Sequence, residues 1–163
     1  MSRAFVKETD RDDDLPERSH SDLPNYISSQ GLQNLQEQAE QLTTEISKLR
    51  TSEALEDKNR LAPLQRDLRY LQERIRRAIP VAPQPHYHKV AFGCRVLLED
   101  EQENSLTFSI AGEDEADVNA GIISWASPLA KAMIGKQVGD TLVWPRSDDP
   151  IELTIVAILP LPE

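Results

Sequence analysis

The chain is short of several things, and each shortage removes a class of protein. Among its 163 residues there is one cysteine, Cys94, so no internal disulfide can form. A single thiol suits a reducing compartment, and a cytoplasmic location is expected. Aromatic residues make up only 5% of the sequence, which disfavours a large aromatic-lined ligand pocket. Lysine and arginine number 18 against 28 aspartates and glutamates, a formal net charge of -10. A chain this acidic lacks the basic face that phosphate binding needs, so direct sequence-specific DNA binding is not expected. Anionic membrane surfaces are disfavoured for the same reason. No apolar run approaches the roughly 20 residues needed to cross a bilayer. The N-terminus carries no apolar stretch of the signal-peptide kind. A soluble monomer is the expectation.

What is present divides the chain into four parts. Residues 1–24 are polar, with acids at Asp10, Asp12, Asp13 and Asp14 and no sustained period, and read as a disordered acidic tail. Apolar residues then fall at Leu32, Leu35, Ala39, Leu42, Ile46 and Leu49, spaced 3, 4, 3, 4, 3. A second set at Leu61, Leu64, Leu68, Leu71, Ile75 and Ala78 repeats that spacing. Such seams belong to helices that pack as in a coiled coil. Two of equal length predict an antiparallel coiled-coil hairpin over 25–79, with its tip near 51–58. Each arm should be about 27–30 Å long at 1.5 Å per residue. Ser28 or Ser29 can cap the first helix. Pro63 places the start of the second helix at about 59–62, or else kinks it.

Residues 80–88, rich in proline, read as a stiff extended linker. Beyond them the period changes to 2. Strands are predicted over 90–99, 106–111, 121–124, 141–144 and 151–158, with a turn at 100–104. A short helix fits 128–134, with Ser127 as cap, Pro128 at the first helical position and Gly135 closing it. The fold class is therefore α+β: a helical hairpin followed by a small antiparallel β domain with one helix, over 89–163.

Within that domain the order of motifs is specific. Phe92-Gly93-Cys94-Arg95-Val96, Gly112-Glu113-Asp114-Glu115-Ala116-Asp117, Ile122-Ile123-Ser124, Ser127-Pro128-Leu129-Ala130-Lys131-Ala132-Met133-Ile134-Gly135-Lys136 and Val138-Gly139-Asp140 follow one another at defined separations. Together they resemble the C-terminal domain of the GreA/GreB transcription elongation factors. The resemblance implies an FKBP-like domain that docks on bacterial RNA polymerase at the rim of its secondary channel, while the hairpin enters the channel. It places polymerase contacts at Ser124, Trp125, Ser127, Pro128 and Leu129, with Trp125 as an exposed aromatic anchor. In the cleaving members two tip carboxylates help hold a magnesium ion at the polymerase's own active site. Carboxylate oxygens suit that hard ion, and a two-metal site stabilises attacking and leaving oxygens. The factor lends ligands and the polymerase is the enzyme. No catalytic residue, cofactor or stably bound metal of the chain's own is thus expected, only a possible share in that Mg²⁺.

The tip departs from the cleaving pattern of Asp and Glu three apart. This chain has Glu53-Ala54-Leu55-Glu56-Asp57-Lys58, and neither alignment on Leu55 nor alignment on the spacing reproduces the pair. Both arms also look about one heptad shorter, which draws the tip back by about 10 Å. Metal ligation needs oxygens within about 2.1 Å. Glu53, Glu56 and Asp57 remain the tip candidates, but acids at a helix start are favoured by the helix dipole anyway. The short hairpin is similar to the Rnk-type regulators and points to occupying the channel rather than stimulating cleavage. A peptidyl-prolyl isomerase is the enzymatic alternative, on likeness of fold alone, and an interaction protein whose hairpin binds something other than polymerase is the remaining one.

Other candidates have plainer readings. The acidic run 113–117 lacks the glycine and further oxygens of a calcium loop and reads as structural. Arg66, Arg69, Arg74, Arg76 and Arg77 make the second helix basic, either to face an acidic wall or to pair with acids such as Glu73. His86 and His88 fall short of the three or four ligands of a zinc site. Cys94 reads as a small core residue.

Overall fold

In the computed structural model, which describes residues 15–146 and 148–161, the heptad seams become two helices, α1 (Ser29–Arg50) and α2 (Leu55–Arg76). Each has 22 residues, or about 33 Å of length. Ser28 caps α1: its Oγ accepts the Gly31 N–H at 2.9 Å. Leu35, Ile46 and Leu49 of α1 and Leu71 of α2 are buried, and the remaining seam leucines are half-buried. The two helices run antiparallel. Arg60 pairs with Glu45 near the tip, and Gln36 and Ala39 share a groove with Gln72 and Ile75 at the other end.

The tip is tighter than expected, because α2 begins at Leu55 and leaves only 51–54 to turn the chain. Pro63 therefore sits inside the helix, about two turns from its start. It withdraws one N–H from the ladder and crowds the preceding turn, a cost of about 3 kcal/mol in an unrelieved helix. Partial relief by bending and the stiffer unfolded chain offset some of that. Pro63→Ala should therefore stabilise the hairpin by about 1–2 kcal/mol, seen as a higher thermal midpoint in helical circular dichroism. An unchanged midpoint would mean that the helix already absorbs the proline without strain.

Of the tail expected over 1–24, the acids at 10–14 lie outside the described residues. Residues 15–23 depart from that expectation: they run along α2, held by ion pairs and ring contacts described below.

Two further strands were not read from the sequence. β1 (Asn25–Ser28) and β2 (Ala78–Val81) pair in parallel, Ile27 opposite Pro80. The proline linker thus begins two residues later than expected, since Pro80 and Val81 belong to β2. A proline is tolerated in a two-stranded ribbon because one side of each strand needs no partner.

The main sheet has the order β5-β4-β3-β7-β6, with β3 (Cys94–Glu99), β4 (Ser105–Ala111), β5 (Ile122–Ser124), β6 (Thr141–Trp144) and β7 (Ile151–Pro160). β3 starts four residues later than predicted. Gly93 takes φ +87°, a left-handed turn that interrupts the strand. The Asp100 carboxylate closes the β3–β4 turn, accepting the Gln102 and Asn104 N–H groups at 2.9 Å each. Hydrogen bonds from Asn104 hold its pKa below the usual aspartate value.

The sheet is not wholly antiparallel, as had been expected: β5 pairs with β4 in parallel. Two single 3₁₀ turns, at Glu113–Glu115 and Val118–Ala120, carry the chain back so that β5 starts beside Ser109. The alternation of β3 buries Cys94, Val96 and Leu98. These join Ile110, Leu153, Ile155 and Leu142 in one core, closed by α3 (Pro128–Met133) through Leu129, Ala130 and Met133. Ser127 caps α3 by accepting the Ala130 N–H at 3.3 Å, and Gly135 ends it at φ +90°.

The chain divides into two compact units. One comprises 15–23 with Asn34–Arg77, the other Pro24–Gln33 with the residues from Ala78 onward. The first turn of α1 thus goes with the β unit rather than with the hairpin. Its polar contacts explain why: Ser28, at its cap, is bound to Glu115.

Candidate functional site

At the hairpin tip Glu53 and Glu56 are exposed and Asp57 is half-buried. Ala54, in the cap position of α2, offers no side-chain acceptor. Ser52 reaches over instead and donates its hydroxyl to Asp57 Oδ2 at 2.6 Å. Glu56 and Asp57 occupy the first turn, where the helix dipole favours negative charge. Leu55 beside them is 72% exposed, so the tip presents one aliphatic side chain among acids. Among the described residues, no three His, Cys, Asp or Glu side chains gather closely enough to hold a metal ion.

The segment from Ser124 to Leu129 is built by the end of β5 and the start of α3. Ser124 Oγ accepts the Ala126 N–H at 3.1 Å, and Ser127 Oγ caps α3. Pro128 is exposed, Ser124, Trp125 and Ser127 are half-buried, and Leu129 lies in the core. Trp125 is not the exposed anchor expected. Its ring stands edge-on to Tyr26, 5.1 Å between centroids, and Phe92 flanks Tyr26 on a 6.5 Å contact. The strand β1, absent from the sequence reading, supplies Tyr26 and so covers the indole.

The acidic run 113–117 does structural work through one member. Glu115 accepts the Gly112 N–H at 2.7 Å and the Ser28 N–H at 3.2 Å, and the Ser28 hydroxyl donates to its other oxygen. One carboxylate thus ties the loop after β4 to the capping residue of α1. Gly31 lies so close that a Cβ there would fall 2.3 Å from Glu115 Oε1. The sequence offered a signal that went unread, a glycine in the first turn of a helix, where it ordinarily costs about 1 kcal/mol.

The arginines of α2 are largely engaged. Arg76 donates from Nε to Glu73 at 2.9 Å, and Arg77 donates to the Ser21 carbonyl at 3.0 Å. Arg66 reaches Asp67 at 3.5 Å, and Arg74 is buried. Arg69 grips Glu17 with Nε at 3.1 Å and Nη2 at 2.6 Å. The hydrogen bond from Arg69 lowers the Glu17 pKa, and that from Arg76 lowers the Glu73 pKa. Cys94 is buried, and its burial raises the thiol pKa, as suits an inert core residue. His86 and His88 are exposed.

Residues 84–160 match the family model of the C-terminal region of the GreA/GreB transcription elongation factors. A GreA transcription elongation factor of Pseudomonas putida is 43% identical over 81 residues, which cover 49% of this chain and 51% of the relative. That of Verminephrobacter eiseniae is 54% identical over 54 residues, 32% of this chain and 34% of the relative. The chain thus spans about half the length, or less, of the curated relatives it matches. Among solved structures, a GreA/GreB elongation factor from Nitrosomonas europaea is 20% identical, with a TM-score of 0.42 over 89% of this chain and 99% of that one. GreA factor homolog 1 of Thermus thermophilus is 24% identical, with a TM-score of 0.41 over 83% and 99%. No helix among the described residues is long and apolar enough to cross a membrane.

Proposed function

We propose, on the premise that residues 84–160 belong to the GreA/GreB family as its C-terminal domain, that this protein binds bacterial RNA polymerase and regulates transcription. The observation that carries the reading is that family match standing directly behind a hairpin of two 22-residue helices. In this reading the β unit is FKBP-like and docks through Ser124, Trp125, Ser127, Pro128 and Leu129. Pro128 is the surface contact, and the half-buried Trp125 and buried Leu129 hold the segment in shape. The hairpin occupies the secondary channel.

The tip argues for occupancy rather than for cleavage. A magnesium ion shared with the polymerase would supply the Lewis acidity that phosphodiester hydrolysis needs. The tip residues fit that role poorly, because Glu53-Ala54-Leu55-Glu56-Asp57 does not reproduce the cleaving pair and Asp57 already accepts from Ser52. No cleavage step is therefore assigned to them. One groove of the β unit, whose lining includes Asp100, Glu101, Asp149 and Glu152, carries no aromatic ring and lends the isomerase alternative no support.

Backtracked elongation complexes test the reading. The wild type and a Glu53→Ala/Glu56→Ala/Asp57→Ala variant should bind polymerase alike, and neither should raise RNA cleavage above that of polymerase alone. Cleavage present in the wild type and lost in the variant would make the protein a cleavage factor. Absence of binding would remove the polymerase from the account.

A further inference from the structure

Residues 15–23 are held on α2 by charges and rings, with little apolar burial. Besides the Glu17–Arg69 pair, the Arg18 guanidinium lies 3.8 Å from the Tyr70 ring centroid and reaches Asp67 at 3.4 Å. His20 packs on the same ring, 6.0 Å between centroids. Arg77 donates to the Ser21 carbonyl at 3.0 Å and to that of Leu23 at 3.4 Å. Leu15 is half-buried and Leu23 exposed. The segment thus covers Asp67, Arg69 and Tyr70 with a complementary set of groups. Tyr and Arg are the residue types that most often anchor protein interfaces.

We propose that residues 15–23 form a displaceable strap that competes with the polymerase for the Asp67, Arg69 and Tyr70 face of the hairpin. The inference rests on the polymerase-binding reading above. Both ion pairs are substantially exposed, with side-chain exposures of 61% and 54% for Glu17 and Arg69 and 44% and 34% for Arg18 and Asp67. Pairs of this kind are weak and are screened by salt. The strap is therefore closed at low ionic strength and opens readily. A hairpin that enters a channel presents its flanks to the walls, so a segment lying on one flank must leave first. Binding to the open form is weakened by the fraction of molecules that are closed.

Binding of full-length protein to polymerase is compared between the wild type and Glu17→Lys/Arg18→Glu, across a salt series. The Tyr70 ring resonances in NMR report strap seating without polymerase. The reversal should shift those resonances and tighten binding by about five- to tenfold at low salt, as closure in about nine molecules of ten implies. The two proteins should converge as salt opens the wild-type strap. Shifted resonances with equal or weaker binding would overturn the proposal. Unshifted resonances would overturn it too, because these charges would not be seating the strap. If neither protein bound polymerase at any salt, the polymerase reading itself would fall and the inference with it. Binding by the wild type with no gain in the variant overturns the strap alone.

Discussion

Gly31→Ala is expected to destabilise the protein by about 2–3 kcal/mol, although glycine-to-alanine inside a helix ordinarily stabilises by about 1 kcal/mol. The reversal of sign comes from Glu115. A Cβ at position 31 would lie 2.3 Å from its Oε1 and 2.4 Å from its Cδ, so the carboxylate must leave. It would then abandon the Gly112 and Ser28 N–H groups and the Ser28 hydroxyl. Hydrogen bonds to a charged acceptor contribute about 1.5–3 kcal/mol, and a stranded donor costs about as much as a lost bond. In a Glu115→Ala background the obstruction is gone. There the same Gly31→Ala change should be neutral or stabilising by about 1 kcal/mol. Denaturant unfolding of the four proteins measures the coupling, expected near 3 kcal/mol. Equal effects in the two backgrounds would show that Glu115 is not what position 31 accommodates.

That latch marks where legibility in the sequence stops. The hairpin was readable because the spacing of Leu35, Leu42, Ile46 and Leu49 against Leu64, Leu68 and Leu71 is a local property, and burial follows it. The α3 start was readable for the same reason: Ser127 and Pro128 act within one turn. β6 was found at its observed bounds, Thr141–Trp144, and β7 extends only to Pro160. What failed depended on partners far along the chain. Asn25–Ser28 is a strand only because Ala78–Val81 lies beside it, 53 residues later in the register. The parallel placement of β5 follows from two 3₁₀ turns that carry no hydrophobic period. Trp125 was expected outside because the family resemblance implied a polymerase contact there; Tyr26 packs against it, from 99 residues away. Residues 15–23 looked like a tail because their contacts, Glu17 to Arg69 and Arg18 to Asp67, pair exposed charges that no periodicity announces. For the candidate site residues, exposure was what the sequence did not make legible.

Met133→Ala should cost about 2–4 kcal/mol, by loss of transfer free energy and by the cavity left behind. Met133 is fully buried, in the cluster with Leu129, Ala130, Ile110 and Leu153. Met133→Leu keeps the volume and should cost less than about 1.5 kcal/mol. The interest lies in what Met133 anchors. α3 has six residues, too few to be helical without tertiary support. Its position depends on Leu129, Ala130 and Met133 seated in the core, and the Ser124–Ser127 turn is continuous with it. In the polymerase reading, the alanine variant should then bind more weakly even well below its melting temperature, where almost all molecules are folded, while the leucine variant binds as the wild type does. The comparison separates a docking role from a merely stabilising one. If the alanine variant's affinity fell only in proportion to its unfolded fraction, the segment from Ser124 to Leu129 would be scaffold, and the contact with polymerase would have to be sought on another face of the β unit.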